Sequence, residues 1–226
     1  MKRAVLSAMV IACLAFSAGT AMAASGDIVK GKIALHGVSA LGKNPCDEQA
    51  PTDLWCNDEG VPSPTFNVQG NPDEPWYVYA VVVDVPSASG VKGAAFSVTY
   101  SNFVFTGDFN SCGDQLFADP GFPEEGTGGV VTSASCILTI DGDPEDDVSW
   151  VLGYAYMYAY GDDVAQVIAR LADNRLVLVD CDVAESDIPE VHGGSFAWGT
   201  AVGLTPCQPV TPVENTTWGA LKRLGE

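Results

Sequence analysis

A single all-β sandwich held by disulfides is the fold class this chain of 226 residues predicts, and three observations predict it. Short apolar runs with two-residue alternation recur from residue 28 onward, without convincing helical spacing before the last dozen residues. Clusters of Gly, Pro, Asn and Asp, as in EQAPTD, QGNPDEP and DPGFPEEGTGG, punctuate them. Six cysteines remain once an export signal is set aside, an even count that reads as three bridges in an exported chain.

The export signal is residues 1–23. Lys2 and Arg3 lead an apolar stretch over 4–16, and Ala21, Met22 and Ala23 form an A-x-A cleavage site. The stretch falls short of the roughly 20 residues a membrane-spanning helix needs, so a secretory signal peptide is expected. An alternative is a lipoprotein box at VIAC, with Cys13 lipidated; the AMA sequence and the polar start of the mature chain favour the peptidase site. No later stretch is long and apolar enough to span a membrane, so the mature protein is expected to be secreted or held at the cell surface.

The strands come in order. Residues 28–37 form the first. WYVYAVVVDV, 76–85, is apolar on both faces and rich in valine and aromatics, the pattern of a central strand. AFSVTY, 95–100, alternates: Phe96, Val98 and Tyr100 share one face, Ser97 and Thr99 the other, as in a half-buried strand. Further strands are predicted at 103–107, 129–139 and 148–160. Asp173 and Asn174 separate the apolar runs 164–171 and 175–181, which predicts a hairpin. Residues 24–207 suffice for one well-buried core, and 208–226 form a proline-containing linker and a short tail.

Cys46, Cys56, Cys112, Cys136, Cys181 and Cys207 read as staples, because zinc sites use close C-x-x-C pairs and the chain has none. Sequence alone does not fix their connectivity. Spacing favours sequential pairing: Cys46 with Cys56 around one short loop, Cys112 with Cys136, and Cys181 with Cys207 around a loop-rich segment. Losing Lys2 and Arg3 leaves eight basic residues against 29 acidic ones. That balance argues against nucleic acid, whose phosphates require clustered Lys and Arg, and against an anionic membrane surface. Its plainest meaning is solubility.

SGVKGAAFSVTYSNFVF, 89–105, resembles the G-x-x-G-x-x-F-x-V-x-Y strand pair of cohesin-like extracellular β-sandwich modules of bacteria. SCGD, GGVVTSASC, WVLGYAYMYAY and LVLVDCDVAESD, with a closing TTWGxxK, are similar to a group of uncharacterised secreted bacterial proteins that pair a cysteine-stapled sandwich with such a tail. The resemblance covers most of 28–207. It implies a single immunoglobulin-like or cohesin-like antiparallel sandwich and an extracellular binding or structural role.

Three constellations are candidates for chemistry. In WVLGYAYMYAY, Trp150, Leu152, Tyr154, Tyr156, Tyr158 and Tyr160 share one parity. Facing outward they make a platform for sugar rings or a protein partner; facing inward they are core, which is favoured because large aromatics dominate buried strand faces. In DGDPEDD, Asp141, Asp143, Glu145 and Asp147 alternate, a donor set suited to calcium, the one candidate cofactor. An EF-hand needs Gly and Glu where Asp146 and Leu152 stand, so a solvated acidic turn is favoured. For catalysis there are two histidines, His36 in a strand at a sheet edge and His192 in a loop, and no G-x-S-x-G, H-E-x-x-H or phosphate loop.

The tail NTTWGALKRLGE offers Thr216 or Thr217 as a helix cap, then Trp218, Leu221 and Leu224 as an apolar stripe beside Lys222 and Arg223. So short a helix, with Gly219 inside it, needs a surface to stabilise it. Either the stripe docks on its own sandwich or, the favoured alternative, the proline-bearing spacer presents it as a signal to an export or anchoring partner. The functional expectation is a noncatalytic secreted or cell-envelope module that binds an envelope protein or polysaccharide. A secreted carboxylate-dependent, glycosidase-like hydrolase is the alternative.

Overall fold

The computed structural model describes residues 28–40, 45–48, 54, 56, 66–101, 104–138 and 148–207. The expectations for residues 1–23, for the acidic loop Asp141, Asp143, Glu145 and Asp147, and for the tail with Trp218, Leu221, Lys222, Arg223 and Leu224 lie outside the described residues.

Two sheets face each other. One is four-stranded, in the order β1 (Lys32–Ser39), β3 (Pro75–Val85), β8 (Val148–Ala159) and β5 (Val104–Ser111), all antiparallel. The other centres on β4 (Val91–Thr99). On one side β4 pairs with β7 (Gly128–Ile137), which carries the edge strand β6 (Gln115–Ala118). On its other side run β9 (Asp163–Ile168) and β10 (Val177–Val179). Beyond them lie β11 (Glu185–Asp187), against β10, and β12 (Ser195–Trp198), against β9 and the short parallel β2 (Gln69–Gly70). One helical turn, α1 (Pro45–Glu48), completes the regular structure with two 3₁₀ turns.

Alternation places the core. Leu35, Val78, Ala80, Val82 and Met157 from the first sheet meet Phe96, Val98, Val131, Val167, Phe196 and Trp198 from the second. Phe96 packs edge-on against Phe109 and Phe122, ring centroids 5.8 and 5.5 Å away. β3 is central, as its two apolar faces predict. Its second face, with Tyr79, Val81 and Val83, is covered by a smaller cluster that includes Leu54, Cys56 and Cys207. β4 is more deeply buried than its alternation predicts: Ser97, on the outer face, is 1% exposed. The Arg170 stem lies where a side chain on Gly128 would project, beside the Ser97 hydroxyl.

The predicted hairpin is corrected. Ile168 pairs with Ser97 and Val177 with Ala95, so β9 and β10 run end to end along the same edge of β4 in one direction. Residues 169–176 are an excursion closed by an Arg170–Arg175 bridge, with Asn174 at φ 54° at its tip. Asp-Asn chemistry made the turn, as expected, but β4 was the better partner for both apolar runs.

All six cysteines are bridged, yet none of the three sequential pairs forms. The bonds are Cys46–Cys112, Cys56–Cys207 and Cys136–Cys181. The first two hold Cys46 and Cys56 on the outer side of the four-stranded sheet, and the third joins β7 to the turn after β10. Gly90 explains part of the glycine motif that precedes β4: at φ 59° it passes the third bridge, and a Cβ there would fall 2.5 Å from Cys181 Sγ and 2.9 Å from Cys136 Sγ.

Candidate functional site, a tyrosine face on the four-stranded sheet

The run WVLGYAYMYAY does not keep one parity. Ala80 pairs with Gly153 and Val81 with Val151, so Leu152 is an extra residue, a β-bulge that shifts the alternation. Gly153 is required at this point, since a Cβ on it would lie 2.4 Å from the Asn110 carbonyl oxygen and 2.6 Å from the Phe109 ring. Before the bulge Trp150 and Leu152 point into the core; after it Ala155, Met157 and Ala159 take the core positions. The favoured core placement therefore holds for Trp150 and Leu152 and fails for the tyrosines. Tyr154, Tyr156 and Tyr158 face outward, and Tyr160 follows them at the strand end.

The register assembles these rings into a continuous strip. Tyr154 lies opposite Tyr79, Tyr156 opposite Tyr77, and Tyr158 between Pro75 and Phe105. Tyr77 meets Tyr154 at 5.1 Å and Tyr156 at 6.3 Å, and Tyr158 meets Tyr160 at 5.0 Å, all edge to face. Such contacts hold the rings in fixed orientations, with Tyr156, Phe105 and Tyr160 the exposed members. Exposure differs between the two ends of the strip: Tyr79 is 0% exposed, whereas Tyr156 is 37%, Phe105 56% and Tyr160 67% exposed, with Tyr158 half-buried between them. Thr106 pairs with Met157 and Phe109 with Ala155, so Gly107 and Asp108 both oppose Tyr156. Gly107 has no side chain to cover that ring.

The buried end of the strip is sealed. The Tyr79 hydroxyl donates to the Pro45 carbonyl at 2.8 Å, and burial holds its phenol well above the usual range. His36, opposite Tyr79, is 8% exposed; its Nδ1 accepts the Asn67 N–H at 3.1 Å, and its ring stands edge-on to Phe66. Burial holds its imidazole down at about 4, so it is neutral at physiological pH. The open end is rimmed by carboxylates. Asp73 stands 3.5 Å from the Tyr158 hydroxyl, whose pKa is raised by local desolvation and then by Asp73. Glu74, in the turn between β2 and β3, is exposed and accepts from the Asn71 side-chain amide, and Asp108 is exposed in the β5 bulge opposite Tyr156. The Tyr158 hydroxyl beside the Asp73 carboxylate sets a donor and an anionic acceptor next to apolar rings at the open end.

Much of the remaining acidity holds loops together. Asp114 accepts from the Ser133 hydroxyl and the Ala134 N–H, Asp119 from the Gly128 N–H, and Asp180 from the Ala184 N–H. Asp162 accepts from the hydroxyl and N–H of Thr200, which keep its carboxyl below the ordinary range. Buried Asp163 accepts from the Ser101 hydroxyl and the Val164 N–H. His192 lies in a 3₁₀ turn, its Nδ1 donating to the Gly31 carbonyl at 3.2 Å, with burial lowering its pKa. The six bridged cysteines offer no thiolate. Among the described residues no cluster of three or more metal-ligating side chains occurs, and no helix is long and apolar enough to cross a membrane.

No family model matches the chain, and no curated protein does. Among solved structures it is similar to a cohesin module of a family 33 glycoside hydrolase from Clostridium perfringens, at 12% identity and TM-score 0.41, over 58% of this chain and 89% of that one. It is also similar to a chain of a type I cohesin–dockerin complex from Clostridium thermocellum, at 13% identity and TM-score 0.39, over 59% and 94%.

Proposed function

We propose that the protein is a noncatalytic extracellular binding module, exported by residues 1–23, whose contact surface is the tyrosine strip of the four-stranded sheet. One observation carries the reading: the strip Tyr77, Tyr156, Tyr158, Tyr160 and Phe105 is contiguous, outward-facing and aromatic on a chain of formal charge −19. Tyrosine combines a large apolar body with a hydroxyl handle at low entropic cost, which suits it to interfaces. The three disulfides fit an oxidising, extracellular setting.

The test is substitution without unfolding. In the full chain, Tyr156→Ala with Tyr158→Ala should lower retention by the host's isolated envelope fraction about tenfold or more, the scale of losing two aromatic anchors. Thermal melting should stay within a few degrees, since Tyr156 is exposed and Tyr158 half-buried. Equal retention by the variant and the parent overturns the reading.

A further inference from the structure

The geometry points to residues 215–226 of this same chain as an occupant of the tyrosine strip, a cis guard that an external partner must displace. This inference rests on the reading that the strip is an interaction surface.

The first support is the position of Cys207. It is 2% exposed and tied to Cys56, and it lies on the outer side of the four-stranded sheet, in the cluster with Tyr79 and Val81 against which Tyr77 and Tyr154 pack. Cys207, the last described residue before the tail, therefore lies on the same face that carries the strip. The second support is reach. Pro206 lies beside Ala34 of β1; crossing from β1 to β8 takes two strand spacings, and passing from the Ala34–Val81 row to the Pro75–Tyr158 row takes six residues, so the open end lies within about 25 Å. Trp218 is 11 residues beyond Cys207, a span of up to about 36 Å when extended.

The third support is chemistry. Trp218, Leu221 and Leu224 are spaced i, i+3 and i+6, so a helical turn would bring them to one face, with Lys222 and Arg223 beside them. The strip offers aromatic rings to the first group. Asp73, Glu74 and Asp108, all exposed at its margin, offer carboxylates to the second. Exposed ion pairs contribute little energy each, so the charges set orientation and the rings supply the contact. A short apolar stripe that is unstable alone needs a surface, and the exposed rings of Tyr156, Phe105 and Tyr160 supply an apolar one. The signal-presentation alternative, in which the stripe stays away from the sandwich, predicts no such contact.

Hydroxyl-radical footprinting of the full exported chain, read residue by residue, tests this without any partner. Trp218→Ala with Leu221→Ala should raise oxidation of Tyr156, Tyr158 and Tyr160 at least threefold, while buried Tyr79 stays unchanged as the internal control. Equal rates in parent and variant overturn the guard. The same variant should also bind the envelope fraction more tightly, because a competitor has been removed. Raised oxidation with no envelope binding by either chain leaves the guard standing and removes the external partner. Equal oxidation together with envelope binding that depends on Tyr156 and Tyr158 does the reverse.

Discussion

Replacing Cys56 and Cys207 together by alanine is expected to cost about 3–5 kcal/mol and to be the most damaging of the three bridge removals. The bond closes a loop of 151 residues, against 66 for Cys46–Cys112 and 45 for Cys136–Cys181. Loop-closure entropy grows with the logarithm of length, so this bridge constrains the unfolded chain most. Cys207 and Cys56 are also core atoms of the outer cluster, at 2% and 6% exposure. Their loss should loosen the cover over Tyr79 and Val81. Denaturant titration of the double variant checks it; a cost no larger than that of the Cys136/Cys181 pair would show that the long tether adds nothing.

The second large effect is acid lability set by His36. In the unfolded chain this imidazole titrates near its ordinary pKa of about 6.5; in the folded chain burial holds it at about 4. Between those values the unfolded state binds a proton that the folded state refuses, so stability is full above pH 6.5 and falls as pH drops toward 4. Two to three pKa units correspond to about 3 kcal/mol. His192, lowered chiefly by burial, adds a loss of the same sign below pH 6.5. His36→Gln keeps an acceptor for the Asn67 N–H and has no titration. Urea melts at pH 7 and pH 4 should show the parent losing about 3 kcal/mol more than this variant. Parallel losses would mean that His36 accepts its proton without unfolding.

The strands were legible in sequence because each is a local pattern: valine on both faces marked β3 as central, and alternation placed Phe96 and Val98 on the core side of β4. What failed was decided at long range. Period-two reading carried the aromatics of β8 through as one face, because nothing local announces that Leu152 is extra; the cause is the close approach of Asn110 and Phe109 at Gly153. A glycine inside an apolar strand was the available hint. The apolar runs flanking Asp173 and Asn174 fit a hairpin by themselves, and only the neighbouring β4 shows why they lie end to end. Cysteine spacing failed for the same reason. The partner of Cys46 is brought by β5, and that of Cys56 by the stretch after β12, so proximity in sequence was no guide to proximity in space.

The claim that the outer tyrosine strip is where this protein meets its partner is tested most directly by zero-length carboxylate–amine crosslinking in native envelope fractions, with the crosslinked acids mapped by mass spectrometry. Asp73, Glu74 and Asp108 frame the strip, whereas Asp182, Glu185 and Asp187 lie at the β10–β11 edge of the other sheet. Crosslinks to an envelope amine concentrated on Asp73, Glu74 and Asp108, and lost when Tyr156 and Tyr158 are alanine, are the predicted result. Crosslinks confined to Asp182, Glu185 and Asp187, unchanged by the tyrosine substitutions, would place the working surface on the opposite sheet and contradict it.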